Sequence, residues 1–243
     1  LSLAIKELTS CSKKYGIAVA SISHSHHFGQ AGRHVERLAE SGLIGLMFGN
    51  TPKAIPPWGG SKALFGTNPI AFSSPRSKAP PLVVDLSLSK VARGKVMLAN
   101  QKNERIPQGW AIDEQGNPTS DAKKALVGAM LPIGDAKGSA LALMIEILSA
   151  ALTDSNFGFE ASSFFDSEGD SPGVGQLIIA IDPSFFSGDV FSERVETIVN
   201  AILEQPSTRL PGSRRLEKRK WREKTKKIAI PQELYDEITK LTK

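Results

Sequence analysis

The sequence predicts an α/β fold in which a mixed sheet is flanked by helices. Helical and strand-like segments alternate along the first fifty residues, which is typical of this class. The 243 residues include 40% hydrophobic residues and 23% charged residues, an ordinary composition for a globular protein. A chain of this length can form one large domain or two modest ones.

The first half of the chain predicts most of the sheet. Ala4, Ile5 and Leu8 have helical spacing, and Gly16 suits the end of that helix. The elements expected next are a strand at 17–22, a helix at 31–39, and strands at 43–48, 70–72 and 82–86. Pro and Gly are frequent at 50–69, which predicts a loop.

The second half predicts more helices than strands. The pattern indicates a short helix at 121–130, a strand at 176–181 and an amphipathic helix at 190–203. Residues 141–152 are apolar almost all round, so we expect a buried helix there. Pro231 suits the first position of a final helix.

The net charge of +5 comes from one segment. Residues 214–227 contain nine basic residues and two acids, so the rest of the chain is slightly acidic. This distribution disfavours a broad nucleic-acid-binding face. A nucleic-acid-binding module that uses Arg214–Lys227 and the interleaved Trp221 remains an alternative, and a solvated helix face is the preferred interpretation.

Cysteine content and terminal sequence limit the possible location. The single Cys11 excludes an intramolecular disulfide and an all-cysteine zinc site. No apolar run approaches the length of a membrane span, and the first residues do not form a signal peptide. We therefore expect a cytoplasmic protein without a membrane partner. The chain begins with Leu1 inside a predicted helix, so we also expect that an N-terminal part is missing.

All four histidines lie within residues 24–34, in a loop between a predicted strand and a predicted helix. Histidine exchanges protons near neutral pH, and a helix N-terminus favours an anionic group. His24 and His26 could instead make only local hydrogen bonds, and His34 is expected on the helix surface. No second cluster of ligands accompanies these histidines, so no metal site is predicted.

Three further polar segments are candidates for binding. Thr67 and Asn68 lie in a loop that could bind a small polar group or form an ordinary turn. Asp85, at the end of a strand, could hold a ribose hydroxyl or cap the next segment. Residues 132–138 open a helix and include a lysine, so they suit a phosphate or carboxylate as well as a capped helix start. No dinucleotide fingerprint or phosphate-binding loop is present.

In this order, the segments resemble the malate/L-lactate/sulfolactate dehydrogenase family, whose NAD(P)-dependent oxidoreductases do not use a Rossmann fold. The resembling segments are SHHFGQAG at 25–32, GTNPIA at 66–71, DLS at 85–87, ARG at 92–94, GWA at 109–111, KG at 137–138 and LPG at 210–212. The resemblance covers nearly the whole chain. It also accounts for the missing dinucleotide fingerprint.

The resemblance implies hydride transfer between NAD or NADP and C2 of a small 2-hydroxy or 2-keto acid of the malate, lactate or sulfolactate type. It places the general acid/base on His27 and substrate contacts on Thr67 and Asn68. The implied cofactor-binding residues are Thr51, Asp85, Leu86, Ser87, Asp135, Ala136, Lys137 and Ser213. Imino-acid reductase, ureidoglycolate dehydrogenase and a non-catalytic relative are the alternatives within this fold.

The resemblance also implies an assembly and shows two departures. Residues 35–205 should form the NAD(P)-binding lobe, and residues 1–34 and 206–243 the substrate and dimerisation lobe of a homodimer. Ser213 stands where the family often has an acidic residue, and Asp135 stands where it often has Gly. The resemblance also leads us to expect that the family arginine that binds the substrate carboxylate belongs to the N-terminal part before Leu1.

Overall fold

A computed structural model describes residues 1–165 and 169–242. Its helices are α1 (Ser2–Tyr15), α2 (Ala31–Glu40), α3 (Arg93–Gln101), α4 (Ala122–Val127), α5 (Ala136–Ser149), α6 (Val190–Leu203), α7 (Ser213–Thr225) and α8 (Gln232–Leu241). Its strands are β1 (Ile17–Ser25), β2 (Ile44–Gly49), β3 (Ile70–Ser74), β4 (Leu82–Leu86), β5 (Ala111–Ile112), β6 (Pro118–Thr119), β7 (Ala129–Met130) and β8 (Val174–Ile181).

The main sheet has five strands in the order β1-β8-β2-β3-β4. The α/β class with flanking helices is confirmed, but all the described strand pairings in this sheet are antiparallel, so the expectation of a mixed sheet is corrected. The reason is that β8 lies between β1 and β2 and runs opposite to both. Strand β1 therefore shares a sheet with β2, although the predicted lobe boundary falls between them; the division into lobes stays a prediction.

Helices cover both faces of this sheet. On one face, Ile5 of α1 and Val35 and Leu38 of α2 pack with Met47 and Ile178. Successive strand residues point to opposite faces, so the other face presents Phe48 and Leu177, which pack with Ala142 and Ile145 of α5. Burial on two faces explains why β2 and β8 are apolar without alternation.

A second small sheet, in the order β6-β5-β7, packs with α3 and α4. The helix predicted at 121–130 is shorter in the structure, because α4 ends before Gly128. The next residues form strand β7, which pairs with β5. Helix α3 was not predicted. Its apolar residues do not segregate to one side, and only Val96 is buried.

Helix α5 begins at Ala136, within the segment 132–138 that was expected to open it, and ends at Ser149 rather than at Leu152. Gly138 permits this start, since a Cβ there would lie 1.9 Å from the Ile133 carbonyl oxygen. Leu143, Met144 and Ile147 are exposed, so the predicted burial all round is wrong. Contrary to the expectation from the sequence, the segment Ala136–Thr153 reaches the length and hydropathy of a membrane span, and 44% of its residues are buried.

Helix α7 contains the basic segment up to Thr225 and is the surface helix that the charge pattern predicts. The Arg219 guanidinium donates two hydrogen bonds of 3.0 Å to the Glu36 carboxylate of α2. Burial raises the pKa of Glu36, but the hydrogen bonds from Arg219 and Arg33 outweigh burial and hold that pKa below its usual range. Further along, Pro231 is the N-cap residue of α8, which begins at Gln232, whereas the sequence predicted Pro231 as the first residue of this helix.

Candidate active site

The histidine loop connects β1 to α2. The Gly29 amide donates a hydrogen bond to His27 Nδ1 at 3.0 Å, so the neutral His27 ring carries its proton on Nε2. The Phe164 ring meets the His27 ring edge-on, with centroids 5.3 Å apart. In the neutral ring, Nδ1 thus accepts a hydrogen bond from the backbone and Nε2 carries the proton.

Two of the other three histidines make local contacts, and His24 contacts a distant loop. His26 Nδ1 accepts a hydrogen bond from the His27 amide at 2.7 Å, and His34 Nε2 lies 2.8 Å from the Phe28 carbonyl oxygen. The His24 amide donates to the Ser155 hydroxyl. Among residues 1–165 and 169–242, no group of three His, Cys, Asp or Glu side chains is arranged to hold a metal ion.

Two threonine hydroxyls lie beside each other where β2 ends and β3 begins. The Thr67 amide donates to Thr51 Oγ1 at 2.9 Å, and the two hydroxyl oxygens are 3.3 Å apart. Gly66 permits this approach, because a Cβ there would lie 2.2 Å from the Thr51 carbonyl oxygen. Thr51 and Thr67, predicted separately, are therefore one pair.

The buried carboxylate of Glu146 holds the loops around this pair in place. Glu146 Oε1 accepts hydrogen bonds from the Gly66 amide at 3.1 Å and from Asn68 Nδ2 at 3.0 Å. Glu146 Oε2 accepts from the Gly158 amide at 3.1 Å and from Asn50 Nδ2 at 3.4 Å. A single side chain of α5 thus joins three loops around the candidate site.

Asn68 belongs to this support. The residue is fully buried, and its Nδ2 also donates to the Ala142 carbonyl oxygen at 2.9 Å. Its Oδ1 is buried without a hydrogen-bond partner among the described residues. The amide therefore holds the backbone of the Thr67 loop against α5.

Asp85 ends β4 and faces the start of α2. Its Oδ2 accepts hydrogen bonds from the Gly32 amide at 3.0 Å and from Arg215 Nη1 at 3.2 Å. Gly32 allows this contact, because a Cβ there would lie 2.8 Å from Asp85 Oδ2. The anion expected at the N-terminus of α2 is thus supplied by the chain itself.

Two cavities meet at the histidine loop. The larger has a volume of about 620 Å³ and the other about 330 Å³, and both are lined by His27, Thr51, Thr67 and Phe164. Lys53 and Arg93 line only the larger cavity, whereas Asp85 lines only the other. We call the shared residues His27, Thr51, Thr67 and Phe164 the common wall.

The remaining predicted cofactor residues lie outside both cavities. Leu86 is exposed, and the Ser87 hydroxyl lies 3.1 Å from the Ser89 hydroxyl. Ser213 is the first residue of α7, and its Oγ donates to the Leu210 carbonyl oxygen at 2.7 Å. These side chains do not line the cavities that meet at the common wall.

Asp135, Ala136 and Lys137 are exposed at the start of α5 and do not line these two cavities. Asp135 has φ 57°, a backbone conformation that favours glycine. Its side chain makes no capping hydrogen bond to α5. The backbone at this position is therefore one that glycine would adopt with less strain than aspartate.

Sequence reasoning missed Glu146, Arg93 and Phe164. A lone acid within an apolar helix was a usable signal for Glu146, since a buried carboxylate requires hydrogen-bond donors. Arg93 appeared only as part of a family motif. Phe164 gave no signal, because its contact with His27 joins residues far apart in the sequence.

Comparison with known proteins identifies a family and close relatives. The model of the family described as malate/L-lactate dehydrogenase matches residues 1–239. A protein from Chromohalobacter salexigens named (2R)-3-sulfolactate dehydrogenase (NADP(+)) is 53% identical over 226 residues, which are 93% of this chain and 67% of that protein.

A relative from Pseudomonas aeruginosa has a different name. This Δ1-pyrroline-2-carboxylate/Δ1-piperideine-2-carboxylate reductase is 40% identical over 242 residues, which are 98% of this chain and 72% of that protein. The crystal structure of Δ1-piperideine-2-carboxylate reductase from Pseudomonas syringae superposes with a TM-score of 0.91 at 38% identity, covering 99% of this chain and 73% of that one. The likeness thus spans both the sequence and the three-dimensional fold.

Proposed function

The chain belongs to the malate/L-lactate dehydrogenase family, and on this basis we propose that it transfers a hydride between NAD(P) and C2 of a small 2-hydroxy or 2-keto acid. The observation that carries the proposal is the pair of cavities that meet at His27 and the two threonines. The relative named a sulfolactate dehydrogenase supports an acid of the malate or sulfolactate type and NADP as the cofactor.

The residues present fit a nicotinamide cofactor. Cavities of about 300–1,000 Å³ hold small ligands, and both cavities lie in this range. Bound NAD(P) supplies or accepts the hydride. Thr51 and Asp85 would hold its reactive end beside the common wall, and the outer residues that would hold the rest are Leu86, Ser87, Asp135, Ala136, Lys137 and Ser213.

His27 is proposed as the residue that exchanges the substrate proton. In the reducing direction the His27 ring would start as the imidazolium, give an N–H proton to the oxygen formed on C2 and become neutral; in the oxidising direction the neutral ring would take up the proton of the C2 hydroxyl. Thr67 is proposed to contact the same substrate, and Asn68 supports it through the loop.

Reduction of a cyclic imino acid is the second candidate. The P. aeruginosa relative is named as a reductase of such acids at 40% identity. The same common wall could present the His27 proton to a ring nitrogen instead of an oxygen. The identity of the accepted substrate therefore separates the two candidates.

The experiment is an absorbance assay of nicotinamide oxidation over a panel of 2-keto acids and cyclic imino acids. We expect His27→Asn to lower kcat/KM by about 100-fold or more, the usual contribution of a positioned proton donor. His24→Asn is the matched control, because His24 lies close to His27 in the sequence, near the end of β1, and has φ 48°, which asparagine tolerates. Equal rates for the two variants would remove His27 from this role.

The finer features of the assembly are also proposals. Apolar side chains on the exposed side of α5, including Leu143, Met144 and Ile147, support a homodimer formed through this helix. The single exposed Cys11 supports a cytoplasmic location, where thiols remain reduced. Lobes at 35–205 and at 1–34 with 206–243 remain part of the proposal.

A further inference from the structure

Among the residues that the structure describes, the larger cavity is lined by cationic side chains and by no acid. Arg93 and Lys53 contribute their side chains to its wall, together with His27 of the common wall. Of the described residues that line it, none is Asp or Glu. A cavity of this composition attracts an anionic ligand.

Arg93 is the more buried of the two cations, and its contacts leave most of its donors available. Its Nη2 donates to the Leu126 carbonyl oxygen at 3.1 Å, and its guanidinium carbon lies 5.8 Å from the centroid of the Phe165 ring. A guanidinium has five N–H donors, so one carbonyl and one ring do not satisfy it. Within the part of the chain that the structure describes, no carboxylate forms an ion pair with Arg93.

The protein environment of Arg93 disfavours the charged form of its guanidinium. Burial lowers the pKa of Arg93, and no neighbouring acid opposes this effect among the described residues. Removing a cation from water costs free energy unless an anion or hydrogen-bond acceptors compensate. A ligand anion in the cavity would provide that compensation, and a planar guanidinium binds carboxylate or sulfonate oxygens through two N–H groups.

The arrangement around the common wall indicates which part of a ligand reaches Arg93. His27 and Thr67 lie where the two cavities meet, whereas Arg93 and Lys53 lie only on the larger one. The other cavity is lined by Asp85, whose carboxylate already accepts hydrogen bonds from Gly32 and Arg215, and by no lysine or arginine among the described residues. A substrate whose C2 lies beside His27 would therefore extend its anionic end into the larger cavity.

We propose that Arg93, assisted by Lys53, binds the second anionic group of a dianionic substrate and so selects acids with a carboxylate or sulfonate at C3 over monoanionic acids. This inference rests on the proposed function, since it takes C2 to lie at the common wall. It adds a specificity-determining residue to the proposed function and narrows the substrates to dianionic acids. The anionic groups that could compete for Arg93 are the C1 carboxylate and a cofactor phosphate.

The test measures binding by calorimetry in the presence of NADP+, with 3-sulfolactate, malate and lactate as probes. We expect Arg93→Gln to weaken binding of the two dianions by about 10- to 100-fold, the effect of losing hydrogen bonds to a charged group. Lactate affinity should change by less than about three-fold, since it lacks the second anionic group. Arg93→Lys should recover part of the loss because it keeps the charge.

Two further variants secure the interpretation. Lys53→Gln removes the exposed cation of the same cavity, and it should weaken only the dianions by a smaller factor. Lys95→Gln, an exposed lysine of α3 outside the cavity, is the matched control and should change none of the affinities. Thermal unfolding of each variant checks that the fold is retained.

Three outcomes would overturn the proposal. An equal loss for all three acids would assign Arg93 to the C1 carboxylate, and a loss confined to NADP+ affinity would assign it to a phosphate. Equal binding of lactate and malate by the unmodified chain would remove the selectivity altogether. Failure of the proposed function would appear differently, as absence of nicotinamide turnover with every acid despite selective binding.

Discussion

Glu146 shows how a single carboxylate stabilises a site that it does not enter. Two N–H donors face each of its oxygens, and they belong to the loops at Asn50, Gly66 with Asn68, and Gly158. The side chain is only 3% exposed, so these hydrogen bonds replace water completely. In a glutamine at this position, the side-chain NH2 group would face two of these N–H donors and could not accept their hydrogen bonds.

We expect Glu146→Gln to lower the free energy of unfolding by about 2 kcal/mol, because hydrogen bonds to a buried charge are lost and donors are left unpaired. Urea unfolding at neutral pH measures this change. Glu160→Gln is the control, since Glu160 is exposed and accepts one hydrogen bond from the Phe157 amide. An unfolding free energy for Glu146→Gln equal to that of the control would contradict the supporting role.

At the scale of elements, ion pairs dock the basic helix α7 onto the rest of the fold. Arg219 reaches Glu36 of α2, and Arg215 reaches Asp85 of β4. Glu36 has a side chain only 7% exposed, so its pairing differs from a surface ion pair. Two of the basic residues that give the chain its net positive charge, Arg215 and Arg219, are thus paired with acids of other elements.

The Glu36 pairing predicts a pH dependence. Its pKa is lowered in the folded state, so its contribution is present above about 4.5, the unfolded value, and is lost as pH falls below it. We expect Glu36→Gln to cost about 1–2 kcal/mol at pH 7, with the difference from the unmodified chain narrowing below pH 4.5. Denaturant unfolding across this pH range measures it.

Glu40→Gln provides the comparison on the same helix. Glu40 pairs with Arg33 at 2.8 Å, but its side chain is 46% exposed, so the expected cost is below about 1 kcal/mol. A constant difference between Glu36→Gln and the unmodified chain at every pH would argue against the ionised pair.

Elements with a clear apolar pattern were predictable, and long-range contacts were not. β2 and β8 follow from short apolar runs, and α2 follows from Val35 and Leu38. The antiparallel order could not be derived, because β8 enters the sheet between strands that precede it by more than a hundred residues. In the candidate site, the histidine loop was predictable, whereas Glu146 and its partners Gly66 and Asn50 are 80 and 96 residues apart.

At the scale of the whole molecule, α5 has two apolar sides. One side packs on the sheet through Ala142 and Ile145, and the other leaves Leu143, Met144 and Ile147 exposed. Glu146 is buried, so the exposed side carries no acid. A surface of this kind is typical of contact with another protein chain.

We expect the chain to form a dimer that Ile147→Glu dissociates, because a charge at the centre of an apolar interface loses its water without a partner. Light scattering after size-exclusion chromatography measures the mass. Val127→Glu is the control, since Val127 is equally exposed but lies outside α5. A monomeric unmodified chain, or a dimer that survives Ile147→Glu, would reject this interface.

The position of β8 has a consequence for biosynthesis. β2, β3 and β4 are consecutive neighbours in the sheet, so they can pair as soon as the ribosome releases them. β8 begins at Val174, and at usual elongation rates it emerges roughly 6 to 25 seconds after β2 ends at Gly49. Until then β1 and the open edge of β2 have no partner, and they are the parts of the nascent chain that chaperones would need to shield.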